Sequence, residues 1–210
     1  MCAFLQIGPE REACVLTVGH SNHTVEHFLG LLTAHAIEVV VDARSRPYSK
    51  YAKQFDHEAL KTTLRDTGIR YLYLGRELGG RPDGDEFYDE EGHVRYDRVA
   101  ATKRFREGLD RLERGIHEYR VAVLCAEENP ACCHRRLLVG RVLLERGVQV
   151  EHIRGDGRIQ TEEELAAEVN PNRGQSSLFA KAEAEPWKST ATVSRKKRPD
   201  HETPSQPAST

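Results

Sequence analysis

The chain has 210 residues, 38% hydrophobic and 30% charged, which suits one globular domain plus a polar extension. Its formal net charge of -2 gives no global basic field, so charge alone does not argue for nucleic-acid binding. No apolar run approaches the roughly 20 residues of a membrane helix, and the first twenty residues lack a secretory signal's basic start and apolar stretch; the expected location is cytoplasmic, with no membrane partner.

The first strand reads as "CVLTVG" (14–19). Residues 24–35 follow as a helix with Val25, Phe28, Leu29 and Leu32 on one face. "EVVVDAR" (38–44) is the second strand, and a helix over 57–67 has Asp56 as its N-cap and stops at Gly68. "RYLYLG" (70–75) is the third strand. The polar stretch 79–96 reads as a long loop of the kind that forms lids or substrate loops. Residues 97–115 give a helix with Phe105, Leu109 and Leu112 on one face, and "RVAVLCAE" (120–127) a fourth strand. Asn129 and Pro130 then start a helix over 130–146 that stops at Gly147. "VQVEHIR" (148–154) is the fifth strand, and 161–169 an amphipathic segment that packs on the domain.

Strands alternating with helices, the central ones almost continuously apolar, predict a parallel sheet covered on both faces. The expected fold class is therefore α/β: a three-layer Rossmann-like domain within residues 1–170, with a mostly parallel sheet of about five strands. Residues 171–210, rich in Ser, Thr, Pro, Lys and Glu, are expected to form a disordered tail.

Ligands of open α/β sheets bind beyond the carboxyl ends of the strands. Here those ends run into Gly19-His20-Ser21, Asp42-Ala43-Arg44-Ser45-Arg46, Gly75-Arg76-Glu77 with Gly79-Gly80-Arg81, and Cys125-Ala126-Glu127. Arginines beside glycine-rich loops suit phosphate or carboxylate, and a helix opening at Asn129-Pro130 would add free backbone N–H groups. "GxxxxGK[ST]" and "GxGxxG" are both absent, so a nucleotide cofactor in a standard mode is disfavoured, and no cofactor is assigned.

The stretch "CAEENPACCHRR" (125–136) holds three of the five cysteines. Sparse cysteines, odd in number, argue against a disulfide framework. The spacing matches no standard zinc pattern, so no metal ligand is assigned, although a site using Cys125, Cys133 and His20 or His134 can be imagined. Cys132 or Cys133 in the first turn of a helix beside arginines would have a lowered thiol pKa. Cys125, at a strand end, also reads as a small apolar packing residue.

Together "TVGHSNHTVEHFLGLLTAHAIEVVVDARSRPYSK", "YLYLGRELGG" and "VLCAEENPACCHRRLL" resemble the family known as domain of unknown function 488, over about residues 15–153. The pattern LCAE-x-x-P-x-x-CHR falls on Cys125, Ala126, Glu127, Pro130, Cys133, His134 and Arg135, and leaves Cys132 on a variable position. The resemblance implies an α/β fold and no established activity. In the tail, Gln175, Leu178 and Phe179 of "GQSSLF" resemble the peptide by which bacterial proteins dock on the DNA sliding clamp.

The leading expectation is an enzyme acting on a phosphate-bearing substrate, a nucleotide or nucleic acid. Arg44, Arg46, Arg76 and Arg135, with Ser21, Gly79 and Gly80, would bind it. Asp42 or Glu127 would be general acid or base, His20 or His134 the proton carrier, and Cys133 the best thiol, with Cys125 second. The alternatives are a non-catalytic anion- or nucleic-acid-binding module recruited to replication or repair through the tail, and a metal-binding or thiol redox domain.

Overall fold

A computed structural model describes residues 13–170 and 186–193. Five strands run parallel: β1 (Cys14–Gly19), β2 (Val39–Asp42), β3 (Arg70–Tyr73), β5 (Val121–Cys125) and β6 (Gln149–Ile153). A sixth, β7 (Ile159–Thr161), is antiparallel to β6 and closes one edge, giving the order β3-β2-β5-β1-β6-β7. Short strands β4 (His93–Arg95) and β8 (Lys188–Thr192) pair antiparallel in a separate ribbon.

Helices cover both sheet faces. α1 (Val25–Ala34) and α2 (His57–Asp66) pack against Leu16, Val18, Val40, Ala122 and Leu124. α5 (Lys103–Glu118) and α6 (Arg141–Glu145) pack against Val15, Val39, Val41, Val121, Val123 and Val150. Alternate residues of one strand thus enter opposite cores, as a pleat with period two requires, and the near-continuous apolar strands follow from that double burial. The three-layer expectation holds.

Several boundaries differ from the sequence reading. The helix expected over 97–115 is two, α4 (Tyr96–Ala100) and α5, because Thr102 caps the second by accepting from Phe105 N at 3.1 Å. A helical turn, α3 (Gly75–Leu78), follows β3 directly. Asp56 sits at the N-cap position of α2 without capping it, and its Oδ1 accepts from Ser49 N instead, at 2.7 Å. The loop 79–96 contains β4. α7 (Glu162–Val169) starts in a capping box between Thr161 and Glu164.

The helix expected over 130–146 is broken. A 3-10 turn, Pro130–Cys132, is followed by extended Cys133, a π-helical stretch Arg135–Gly140, and then α6. The expected anion site at the Asn129-Pro130 helix start therefore has only a single tight turn behind it, and Asn129 Oδ1 takes up Ala131 N itself, at 2.9 Å. The wide π turn lets neighbouring Arg135 and Arg136 both reach inside, in different directions.

Within the predicted tail, residues 186–193 form the strand β8 and its flanks. Tyr96 N donates to Trp187 O at 2.9 Å, Val94 N to Ser189 Oγ at 2.9 Å and Val193 N to Gly92 O at 2.8 Å. The Trp187 ring lies 4.1 Å from the guanidinium carbon of Arg141. Gln175, Leu178 and Phe179 lie outside the described residues.

Candidate functional site

The strand order puts β5 between β2 and β1, with Cys125 opposite Gly19 and Leu124 opposite Asp42. Three polar strand ends therefore meet at the middle of the sheet's carboxyl edge. Alternation then divides them into two groups on opposite faces.

On the α1/α2 face lie Asp42, Arg44 and His20. The Asp42 carboxylate is fully buried and accepts from Arg44 N at 3.0 Å, Arg44 Nε at 2.9 Å, Arg44 Nη2 at 2.7 Å and the Tyr71 hydroxyl at 2.6 Å. Arg44 Nη2 also donates to Phe55 O at 2.8 Å, and Nη1 to His20 Nε2 at 3.1 Å. His20 Nδ1 lies 2.9 Å from Ser21 O, a pairing that requires the proton on Nδ1 and leaves Nε2 to accept from Arg44. Burial and the Arg44 charge push the His20 pKa down to about 4, so the ring is neutral near pH 7. The ring stacks on Phe55 at 4.5 Å between centroids. Burial, and then the Asp42 charge, push the Tyr71 hydroxyl up, which keeps it a donor.

On the α5/α6 face lie Cys125, Cys133, His134 and Glu127. Glu127 is exposed along much of its length, yet its Oε2 is 2.8 Å from Cys125 Sγ and 3.4 Å from Cys133 Sγ. His134 Nδ1 is 3.5 Å from Cys125 Sγ and 3.9 Å from Cys133 Sγ. His134 Nε2 donates to Ala43 O at 2.9 Å, so the imidazole bridges the two groups through the β2 backbone. Cys125 is buried, which raises its thiol pKa well above the ordinary range. Burial opposes charge on Glu127 and on His134; the Cys125 hydrogen bond still holds the carboxyl below its usual value, and Cys125 with Glu127 raises the imidazole.

Two glycines make this packing sterically possible. A Cβ on Gly80 would sit 2.5 Å from His134 Cγ, and one on Gly19 would overlap the carbonyl of Glu127. Gly79 approaches Ser45 as closely, and Ser45 Oγ accepts from Arg81 N at 2.9 Å.

Two of the arginines expected to hold an anion are engaged inside the protein. Arg44 is bound as above. Arg135, 0% exposed, donates to Thr17 Oγ1 at 3.1 Å, to Glu128 O at 2.5 Å and to Glu127 O. Arg46 and Arg76 are exposed and line a cavity of about 650 Å³ together with Arg81 and Arg104. A second cavity, about 210 Å³, holds the thiols and His134 and shares Ser45, Arg46 and Arg81 with the first. Ser189, Ala191, Thr192 and Val193 of the β8 segment line its far side. Ser21, with φ of +45°, shapes the loop after β1 and donates its N–H to Ala126 O at 2.8 Å. Tyr71, Arg104 and the β8 segment were not picked out by sequence reasoning. Tyr71 was legible only as an apolar strand residue, and β8 had no strand signal beyond "STATV".

The loop after Glu127 is fixed by Glu128, whose Oε1 accepts from Arg154 Nε at 2.9 Å and Gly155 N at 3.0 Å. The Arg154 hydrogen bond, despite some burial, holds the Glu128 pKa down to about 2 from 4.5. A depressed carboxyl pKa stabilises the fold above about pH 4.5, and that contribution is lost as pH falls toward 2. Glu128→Gln is thus expected to flatten the stability profile in that window, read by urea unfolding at a series of pH values. An unchanged slope would show the pair to be unimportant.

No curated protein and no solved structure matches the chain. The family profile described as "Domain of unknown function DUF488" matches residues 24–142, more than half of the chain and the span that carries Asp42, Arg44, Cys125, Glu127, Cys133 and His134. The chain belongs to the DUF488 family.

Proposed function

We propose that this protein is an enzyme acting on a phosphate-bearing substrate, a nucleotide or nucleic acid, at the carboxyl edge of the sheet. The observation that carries the reading is the set Arg46, Arg76, Arg81 and Arg104, four arginines around one cavity that form no ion pair among the described residues. A planar guanidinium fork matches phosphate oxygens. Glu77, Asp83 and Glu86 line the same cavity and offer acceptors for sugar hydroxyls and base amino groups. Glu127, reachable from solvent and beside the thiols and His134, is the acid–base group. Asp42, Arg44 and His20 are positioning residues, since Asp42 is sealed from the cavity by its own partners.

The test is binding and turnover with inorganic phosphate, nucleoside mono- to triphosphates and short single-stranded oligonucleotides. Calorimetry reads binding, and phosphorus NMR reads products. At least one class should bind. The double variant Arg46→Ala/Arg81→Ala should weaken binding by about 10-fold or more, since each charge-assisted bond contributes about 1.5–3 kcal/mol. Glu127→Gln should bind and turn over about 100-fold more slowly or worse. Absence of binding, or wild-type affinity in the arginine variant, would sink the proposal. Binding with no turnover would replace the enzyme by the anion-binding module.

A further inference from the structure

We propose that Cys125 Sγ, Cys133 Sγ and His134 Nδ1 are three protein ligands of a thiophilic divalent cation, with zinc the best match, whose fourth position faces the smaller cavity. This holds whether or not the substrate carries phosphate. All three side chains are buried, and their donor atoms lie within 4.8 Å of one another. Tetrahedral zinc, with bonds of about 2.3 Å to sulfur and about 2.0 Å to nitrogen, places sulfur and nitrogen about 3.5 Å apart. The separations here are 3.5 and 3.9 Å.

The imidazole is set up as a ligand by its surroundings. His134 Nε2 gives its proton to Ala43 O at 2.9 Å, which leaves the Nδ1 lone pair pointing at the two sulfurs. Backbone carbonyls commonly take the second ring nitrogen of metal-bound histidines in this way. Gly80 packs so closely on the ring that a Cβ there would come within 2.5 Å of it.

The spacing of Cys125, Cys133 and His134 matches no standard zinc pattern; the backbone, not the spacing, brings the donors together. Cys133 is not helical: with φ of -107° and ψ of 141° it is extended, and the helical backbone begins at His134. The bend between them lets two sequence neighbours aim at one point, with Cys125 completing the set from the end of β5. Two thiolates and an imidazole select zinc over magnesium or calcium, which prefer all-oxygen shells. Glu127 Oε2, 2.8 and 3.4 Å from the sulfurs, stands where it can ligate the fourth position or take a proton from water bound there.

Titration of the freshly reduced full chain with cobalt(II), under anaerobic conditions, tests the site without any assay of activity. One cobalt per chain is expected, with a sulfur-to-cobalt charge-transfer band and the intense visible bands of tetrahedral coordination. One equivalent of zinc should bleach them. Cys125→Ser, Cys133→Ser and His134→Ala should each lose the spectrum, with affinity falling by more than the roughly 10- to 100-fold that loss of an outer partner costs. Cys132→Ser, at an exposed neighbour, should leave it intact. The wild-type titration needs no variant to fold. A featureless octahedral spectrum, or a Cys125–Cys133 disulfide with no metal uptake after reduction, would overturn the site.

Discussion

Asp42→Ala is expected to destabilise the fold by about 3–5 kcal/mol, because it leaves the buried Arg44 guanidinium without its counter-charge. Asp42 accepts four hydrogen bonds at 2.6 to 3.0 Å, three of them from Arg44 and one from Tyr71. Removing the carboxylate strands all of those donors inside the protein. Urea unfolding measures the loss. Asp42→Asn should fall between wild type and alanine, since the amide keeps one acceptor oxygen but no charge. The double variant Asp42→Leu/Arg44→Met should lose much less than the sum of its two single changes, because the unpaired charge goes with its partner. A loss below about 1 kcal/mol for alanine, the level of an exposed ion pair, would show that water reaches Arg44.

Glu162→Ala is expected to cost a comparable amount, about 3 kcal/mol, on the other side of the sheet. Its Oε1 accepts from Arg136 Nε at 2.8 Å, and its Oε2 pairs with His152 Nε2 at 3.0 Å. His152 is fully buried, and its Nδ1 meets Thr17 Oγ1 at 2.7 Å, the oxygen that also accepts from Arg135 at 3.1 Å. Burial lowers the His152 pKa below 6.5, and Arg135 and Arg136 add to that while Glu162 opposes it. Burial raises the Glu162 pKa, but His152 and Arg136 outweigh it and hold the carboxyl below 4.5. Both shifts have the same sign: the unfolded chain takes up protons first, so stability falls as pH drops below about 6.5 and again below about 4.5. Glu162→Gln should remove the lower part of that decline. Chemical unfolding at several pH values reads it, and a profile parallel to wild type below pH 4.5 would contradict the assignment.

The five parallel strands were legible because both sheet faces are covered, which forces runs such as "EVVVD" and "VAVLC". β7 and the β4–β8 ribbon were not, since three to five residues with mixed polarity carry no periodic signal. The site was legible as a set of strand ends but not as two groups. Reading parity along β2 and β5 would have separated Asp42 and Arg44, on one face, from Cys125 and Glu127, on the other. The helix at 130–146 misled because Asn-Pro is a sound start signal locally. The chain breaks at Cys133 for tertiary reasons, as Arg135 turns inward to satisfy the carbonyls of Glu127 and Glu128. That break decides what the cysteines can do. Arg44 and Arg135 show a related limit: composition reveals an arginine near an edge, and only packing tells whether its donors are already taken.

The β8 segment has a consequence for the order in which the cavity is made during synthesis. Every donor residue of the cluster has been synthesised once the chain reaches His134, whereas the wall formed by Ser189 to Val193 follows about 55 residues later. A nascent chain ending near Asn170 carries the complete sheet and both thiols, with one side of the cavity still open to water. Docking of Ser189 on β4, through the bond from Val94 N, supplies that wall last.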